Sequence, residues 1–257
     1  MRPSIEQLRA VAQPDTVVRR ASGEHWAGRL YMRHISLYCT RLLAPTRVSP
    51  DHVTASMFVT GPGAALVATV PHVWSAVVAV VLIQVQGYLD CVDGELARWR
   101  GRTGPSGVFL DRLGHYVTDA GLAAAVGVRA DGGLAHVGGW TTLGLAAACL
   151  VLLTKAQTDL VLVARYQSGR ERLPDEAAVA APRQDLLRRL RRILAVMPLN
   201  RALLAMEMTF LLLVAAVVAA ATTSRAPEQV LTVALLAVAG FVGVARLPSI
   251  LSSARLR

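Results

Sequence analysis

Apolar residues arrive along this chain in blocks of a length that suits a bilayer. A spanning helix needs about 20 mostly apolar residues. Six segments qualify: roughly 53–70, 72–89, 107–128, 138–160, 203–221 and 229–248. The second is the cleanest, with almost unbroken aliphatic sequence from Val73 to Val85, whereas the third carries Asp111, His115 and Asp119 and the fourth Lys155 and Asp159. Residues 1–48 lack such a block and read as a basic, amphipathic juxtamembrane segment, not a secretory signal. Residues 49–257 read as one transmembrane domain. Inside it, 166–202 is a basic loop in which Leu186, Leu187, Leu190, Ile193 and Leu194 share a helical face opposite Arg188, Arg189, Arg191 and Arg192. That pattern predicts an interfacial helix on the anionic inner leaflet. The expected fold is all-α: a polytopic integral membrane protein with six transmembrane helices plus an N-terminal amphipathic helix.

Composition agrees. The 257 residues are 54% hydrophobic and only 17% charged, which excludes disorder, a coiled coil and a disulfide scaffold, and argues against a soluble enzyme. Net charge is +10, and Lys155 is the sole lysine. Of the 27 basic residues, 24 fall in 1–52, 98–112, 165–201 and the tail from 246, all on one side of the six spans. The opposite turns hold only Arg129 and Arg225. Such a bias predicts a cytoplasmic basic side with both termini inside a cell membrane. It accounts for the positive charge without a nucleic-acid partner. Cys39, Cys91 and Cys149 are too few and too scattered for a disulfide framework or a zinc site.

Ionisable groups within spans are costly, about 2.5–3.5 kcal/mol each on insertion scales, so they mark function by default. Asp90, Asp93, Glu95 and Arg98 end the second block, and Asp111 and His115 begin the third. At 100° per residue Asp90, Asp93, Gly94 and Ala97 share a helical face bordered by Arg98. Gly107, Asp111 and His115 recur every four residues along the next helix, with a turn at Gly104-Pro105-Ser106 between. Converging carboxylates in low dielectric need a cation between them, and oxygen ligands suit Mg²⁺ or Mn²⁺. Two such ions clamping a diphosphate would support phosphoryl-transfer chemistry. A transporter would also carry membrane carboxylates, but the paired broken helices of that class are missing from the sequence.

The run Asp90-x2-Asp93-Gly94-x2-Ala97-Arg98-x8-Gly107-x3-Asp111-x3-His115 resembles the signature of the CDP-alcohol phosphotransferase family, D-x2-D-G-x2-A-R-x8-G-x3-D-x3-D. Only the last position departs, with His115 for Asp. Ser49-Pro50-Asp51-His52-Val53-Thr54 is also similar to the family's S/T-P-N-x-x-T entry to helix one. The resemblance implies an integral-membrane transferase. A CDP-linked lipid, CDP-diacylglycerol above all, would pass its phosphatidyl group to an acceptor hydroxyl and release CMP. It further implies that Asp90, Asp93, Asp111 and His115 hold two Mg²⁺ or Mn²⁺ ions. Thr54, Asp90, Gly94, Ala97, Arg98 and Gly107 would bind the CDP moiety, with Asp111 and His115 catalytic. A neutral imidazole with a pKa of about 6.5 suits a general base, and Asp119 one turn on could orient it. A homologue that binds CDP-lipid or metal without transfer is the alternative.

Thr154-Lys155-Ala156-Gln157-Thr158-Asp159 resembles the Y-x-K-A-R-A-E stretch of members with phosphorylated acceptors, such as phosphatidylinositol-phosphate and phosphatidylglycerophosphate synthases, with Gln157 for Arg. This implies acceptor binding by Lys155, Arg201 and Arg246, a small polar acceptor either phosphorylated or not, and the family's homodimer.

Overall fold

The computed structural model describes residues 2–14, 26–170, 199–253 and 256. Among them no strand occurs. The helices are α1 (Ile5–Ala12), α2 (Arg33–Leu43), α3 (Pro50–Ala68), α4 (Val73–Trp99), α5 (Pro105–Asp131), α6 (Gly139–Gln167), α7 (Ala205–Thr222) and α8 (Ala226–Leu251). A π-helical turn, Gly28–Met32, leads into α2, and a 3₁₀ turn, Leu199–Leu203, precedes α7. All six apolar blocks are therefore helical. The interfacial helix expected over 186–194 lies outside the described residues.

Four of these helices, α4, α6, α7 and α8, are long and apolar enough to cross a membrane. Two other expected spans, α3 and α5, are weaker by composition. α3 is diluted by Asp51, His52, Gly61, Pro62 and Gly63, and α5 by Asp111, Arg112, His115, Asp119 and Arg129. Apolar side chains on the long helices point outward, among them Val77, Val81 and Val85 on α4 and Val230, Phe241 and Val244 on α8. Surface of that kind suits lipid, not water. The chain is a membrane protein.

Contacts divide the molecule into two units. The first comprises Met1–Gly63 with Val81–Val117. Its α1 begins on a capping box: Ser4 Oγ accepts from the Gln7 backbone N–H at 3.1 Å, and Gln7 Oε1 accepts from the Ser4 N–H at 2.9 Å. Val53, Val92 and Leu96 form a buried cluster, packed by Cys39, Leu43, Val48, Tyr88 and Leu89. At the end of α4 the Arg100 guanidinium donates to the carbonyls of Leu43 and Thr46, both at 2.9 Å, and of Val48 at 2.5 Å. Those carbonyls lie at or beyond the C-terminus of α2, where no helical i+4 donor reaches them, so this one side chain ties the end of α4 to the α2–α3 connection.

The second unit comprises Ala64–Val80 with Thr118–Arg257. In it α5 and α6 approach backbone to backbone. A Cβ on Gly127 would stand 2.4 Å from the Trp140 carbonyl oxygen and 2.7 Å from the Gly144 Cα. Small residues permit such close approach between helices in a bilayer. Arg129, only 1% exposed, donates from Nε to Glu228 Oε1 at 2.6 Å and from Nη1 to Ser75 Oγ at 2.8 Å. Its remaining bonds go to the Val70 carbonyl and, at 2.9 Å, the His72 carbonyl. Assigned by sequence to the sparse, non-basic side, Arg129 is thus a buried clamp on the α3–α4 turn and the start of α8.

Candidate functional site

The second apolar block ends near residue 89, and α4 runs on to Trp99. The continuation matters because it keeps Asp90, Asp93 and Arg98 in helical register, on the faces their spacing implied. Pro105 opens α5, a position where its missing N–H costs nothing.

Three of the four expected metal ligands meet. Asp90, Asp111 and His115 each offer a ligand atom, and these atoms lie within 4.8 Å of one another. His115 Nε2 is 3.5 Å from Asp90 Oδ1 and 3.4 Å from Asp111 Oδ1. The Asp90 and His115 side chains each keep 40% exposure, so the group is open to an arriving ligand. Among the described residues Asp111 Oδ1, a buried oxygen, accepts no hydrogen bond, with His115 Nε2 standing 3.4 Å away. A buried carboxylate oxygen without a donor is costly. A divalent cation would satisfy it, and a set of two carboxylates and an imidazole is chemically apt for one. The residues present fit a metal.

Asp93 lies outside that trio. It is 9% exposed, and its Oδ2 accepts from Thr54 Oγ1 at 2.7 Å. Thr54, 3% exposed, also donates to the Pro50 carbonyl at 3.2 Å. The two halves of the sequence signature, the entry to α3 and the acidic run of α4, are therefore joined by a direct contact.

The small residues behave differently from one another. Apart from its chain neighbours and its own helix backbone, Gly107 has no atom of the described residues within 4 Å of where a Cβ would stand, leaving open room at the start of α5. A Cβ on Gly94 would meet Arg98 Nη1 at 3.1 Å and Nη2 at 3.3 Å. Gly94 thus makes room for the Arg98 guanidinium, whose Nε donates to the Ala12 carbonyl at 2.5 Å. Ala97 is half-buried, and its carbonyl accepts from the Arg102 N–H at 2.9 Å in the turn after α4.

Glu95 was noted in the sequence without a role. It is fully buried, and three side chains donate to it: Gln13 Nε2 at 2.7 Å, Ser36 Oγ at 2.6 Å and Thr40 Oγ1 at 2.7 Å. Gln13 Nε2 also donates to the Arg33 carbonyl at 2.8 Å. A carboxylate so satisfied fastens the N-terminal segment to the helix that bears the acidic motif.

In the second unit, Lys155 Nζ pairs with Asp119 Oδ2 at 2.6 Å, and Asp119 Oδ1 accepts from the Ala205 N–H at 2.8 Å. The carboxylate expected to steer His115 instead neutralises Lys155 and caps the first turn of α7. Arg201 Nε is 3.3 Å from Glu207 Oε1. Arg246 Nη1 donates to the Thr154 carbonyl at 3.1 Å and Nη2 to Thr158 Oγ1 at 2.7 Å. Gln157 Nε2 donates to the Gly243 carbonyl at 3.1 Å, while its buried Oε1 accepts no hydrogen bond among the described residues.

A family model described as CDP-alcohol phosphatidyltransferase matches residues 47–251, most of the chain and all of the acidic motif. No curated protein shows a significant match.

Proposed function

Because the chain belongs to the CDP-alcohol phosphatidyltransferase family, a family of transferases acting on CDP-alcohols, we propose that it transfers the phosphatidyl group of CDP-diacylglycerol to an acceptor hydroxyl and releases CMP. What carries the reading is the meeting of Asp90, Asp111 and His115 around a buried Asp111 oxygen that accepts no hydrogen bond among the described residues.

Asp90, Asp93 and Asp111 would hold the divalent charge, Mg²⁺ or Mn²⁺ and two ions in the full reading, which neutralises the diphosphate and stabilises leaving CMP, while the one lone pair of His115 Nε2 would serve either as a further ligand or as the base. Thr54 orients Asp93 through their hydrogen bond. Open room at Gly107 admits the cytidine nucleotide, with Thr54, Asp90, Gly94, Ala97 and Arg98 completing its site. The acceptor oxygen bonds to the lipid-bearing phosphorus as the bond from that phosphorus to the CMP oxygen breaks. The hydroxyl proton passes to His115 Nε2, where the Asp90 and Asp111 carboxylates stabilise the imidazolium that forms. Lys155, Arg201 and Arg246 bind the acceptor.

The protein works as a homodimer in the cell membrane, with six spans, cytoplasmic termini and chemistry at the cytoplasmic face. The arginine bias supports that orientation.

One observation favours a second reading. His115 Nε2 stands between two carboxylates, so a protonated imidazole would neutralise them in place of an ion. Such a homologue would bind CDP-lipid without transferring it. The deciding assay measures CMP release from CDP-diacylglycerol with Mg²⁺ or Mn²⁺ in detergent micelles. Metal-dependent release, abolished in Asp111→Asn, supports the transferase; tight CDP-lipid binding with no release supports the binder.

A further inference from the structure

Resting on the transferase reading, we infer that this chain takes an uncharged hydroxyl compound, a polyol without a phosphate group, as its acceptor. The grounds are the charge pairing of the residues assigned to acceptor binding.

A pocket that selects a phosphate monoester needs cationic side chains whose charge is available to the incoming dianion, and guanidinium forks do this best. Here the cations are already matched. Lys155 is held by Asp119 at 2.6 Å, and Asp119 is fixed in turn by the Ala205 N–H and is only 2% exposed. Asp119 therefore cannot swing aside without exposing the first turn of α7. Arg201 lies 3.3 Å from Glu207 on that same helix. Arg246 spends two nitrogens on α6, at the Thr154 carbonyl and the Thr158 hydroxyl, so it ties α8 to α6. Gln157 adds no charge, and its Oε1 is a hydrogen-bond acceptor, which repels phosphate oxygens and does not bind them.

A dianion approaching Lys155 or Arg201 would meet the carboxylate paired with it, Asp119 or Glu207, and would have to break that pair to gain its own. A neutral polyol meets no such penalty. Its hydroxyls accept from the exposed parts of Lys155 or Arg201 while the ion pairs stay closed. Discrimination built from like charge in this way is specificity by repulsion of the wrong ligand.

The test uses the full chain in mixed micelles with CDP-diacylglycerol and Mn²⁺, reading CMP release with matched probes: inositol against inositol phosphate, and glycerol against glycerol phosphate. A free alcohol should exceed its phosphate ester in kcat/KM by at least about tenfold, the scale of one misplaced charge. An ester equal to or better than its alcohol overturns the inference and leaves the transferase reading standing. No CMP with any probe defeats the transferase reading, and this inference with it. Glu207→Gln and Gln157→Arg together should lower KM for the esters by about tenfold or more. Unchanged ester KM in that variant, in protein that still turns over an alcohol, also overturns the inference.

Discussion

Thr54 Oγ1 donates to Asp93 Oδ2 at 2.7 Å, a buried hydrogen bond that joins the first turns of α3 to the acidic run of α4. Replacing Thr54 by valine keeps the shape and removes the donor, leaving a buried carboxylate oxygen unsatisfied. Thr54→Val should destabilise the protein by about 1–3 kcal/mol and slow CMP release, whereas Thr54→Ser should retain both. Thermal unfolding in detergent and initial rates of CMP release would check this. A fully active Thr54→Val would show that Asp93 needs no orientation.

Glu95 makes a separate prediction, because its partners Gln13, Ser36 and Thr40 all belong to the N-terminal segment. Glu95→Gln turns one carboxylate oxygen into an amide that faces a donor. The expected loss is about 1–3 kcal/mol, with faster proteolysis within residues 2–44 while the remaining helices stay protected. Cleavage kinetics followed by mass spectrometry would read this directly. Equal protection in both proteins would mean that apolar packing, not Glu95, holds the segment.

The helices were legible in the sequence because a bilayer imposes a long apolar block on each span, and all six blocks are helical. The convergence of Asp90, Asp111 and His115 was legible too, since spacings of three and four residues set a face and a short turn opposes two faces. What could not be read is contact between side chains far apart in sequence. Gln13, Ser36 and Thr40 lie 82, 59 and 55 residues from Glu95, and no periodicity relates them. Likewise Asp119 was placed by its distance along α5 from His115, whereas its partners Lys155 and Ala205 come from α6 and the start of α7. Hydropathy falls at Asp90, but the helical spacing of Asp90, Asp93, Gly94 and Ala97 carries the helix past that point, and α4 runs to Trp99.

The Arg129–Glu228 pair tests how the second unit is held together. Both side chains are nearly inaccessible, at 1% and 4% exposure, and 2.6 Å apart. Removing one partner strands the other, at an expected cost of about 3–5 kcal/mol. Arg129→Met and Glu228→Gln should each lower the unfolding temperature sharply. Arg129→Met should be the worse, since it also releases the Val70 and His72 carbonyls and the Ser75 hydroxyl. Equal losses would mean that the ion pair alone matters.

His115 carries the sharpest prediction, because the same Nε2 atom is offered to a proton and to a metal. His115→Asp restores the family residue and should retain or raise CMP release. His115→Ala removes both uses. If the imidazole is chiefly a base, its loss should cost about 10²–10⁴-fold in rate at every metal concentration. If it is chiefly a ligand, the alanine variant should recover toward wild-type rate as Mn²⁺ is raised, with the half-saturating concentration shifted upward. Titrating Mn²⁺ against initial rate in wild type, His115→Asp and His115→Ala separates the two. An alanine variant indistinguishable from wild type at every Mn²⁺ concentration would remove His115 from the chemistry, leaving the carboxylates of Asp90, Asp93 and Asp111 to carry it.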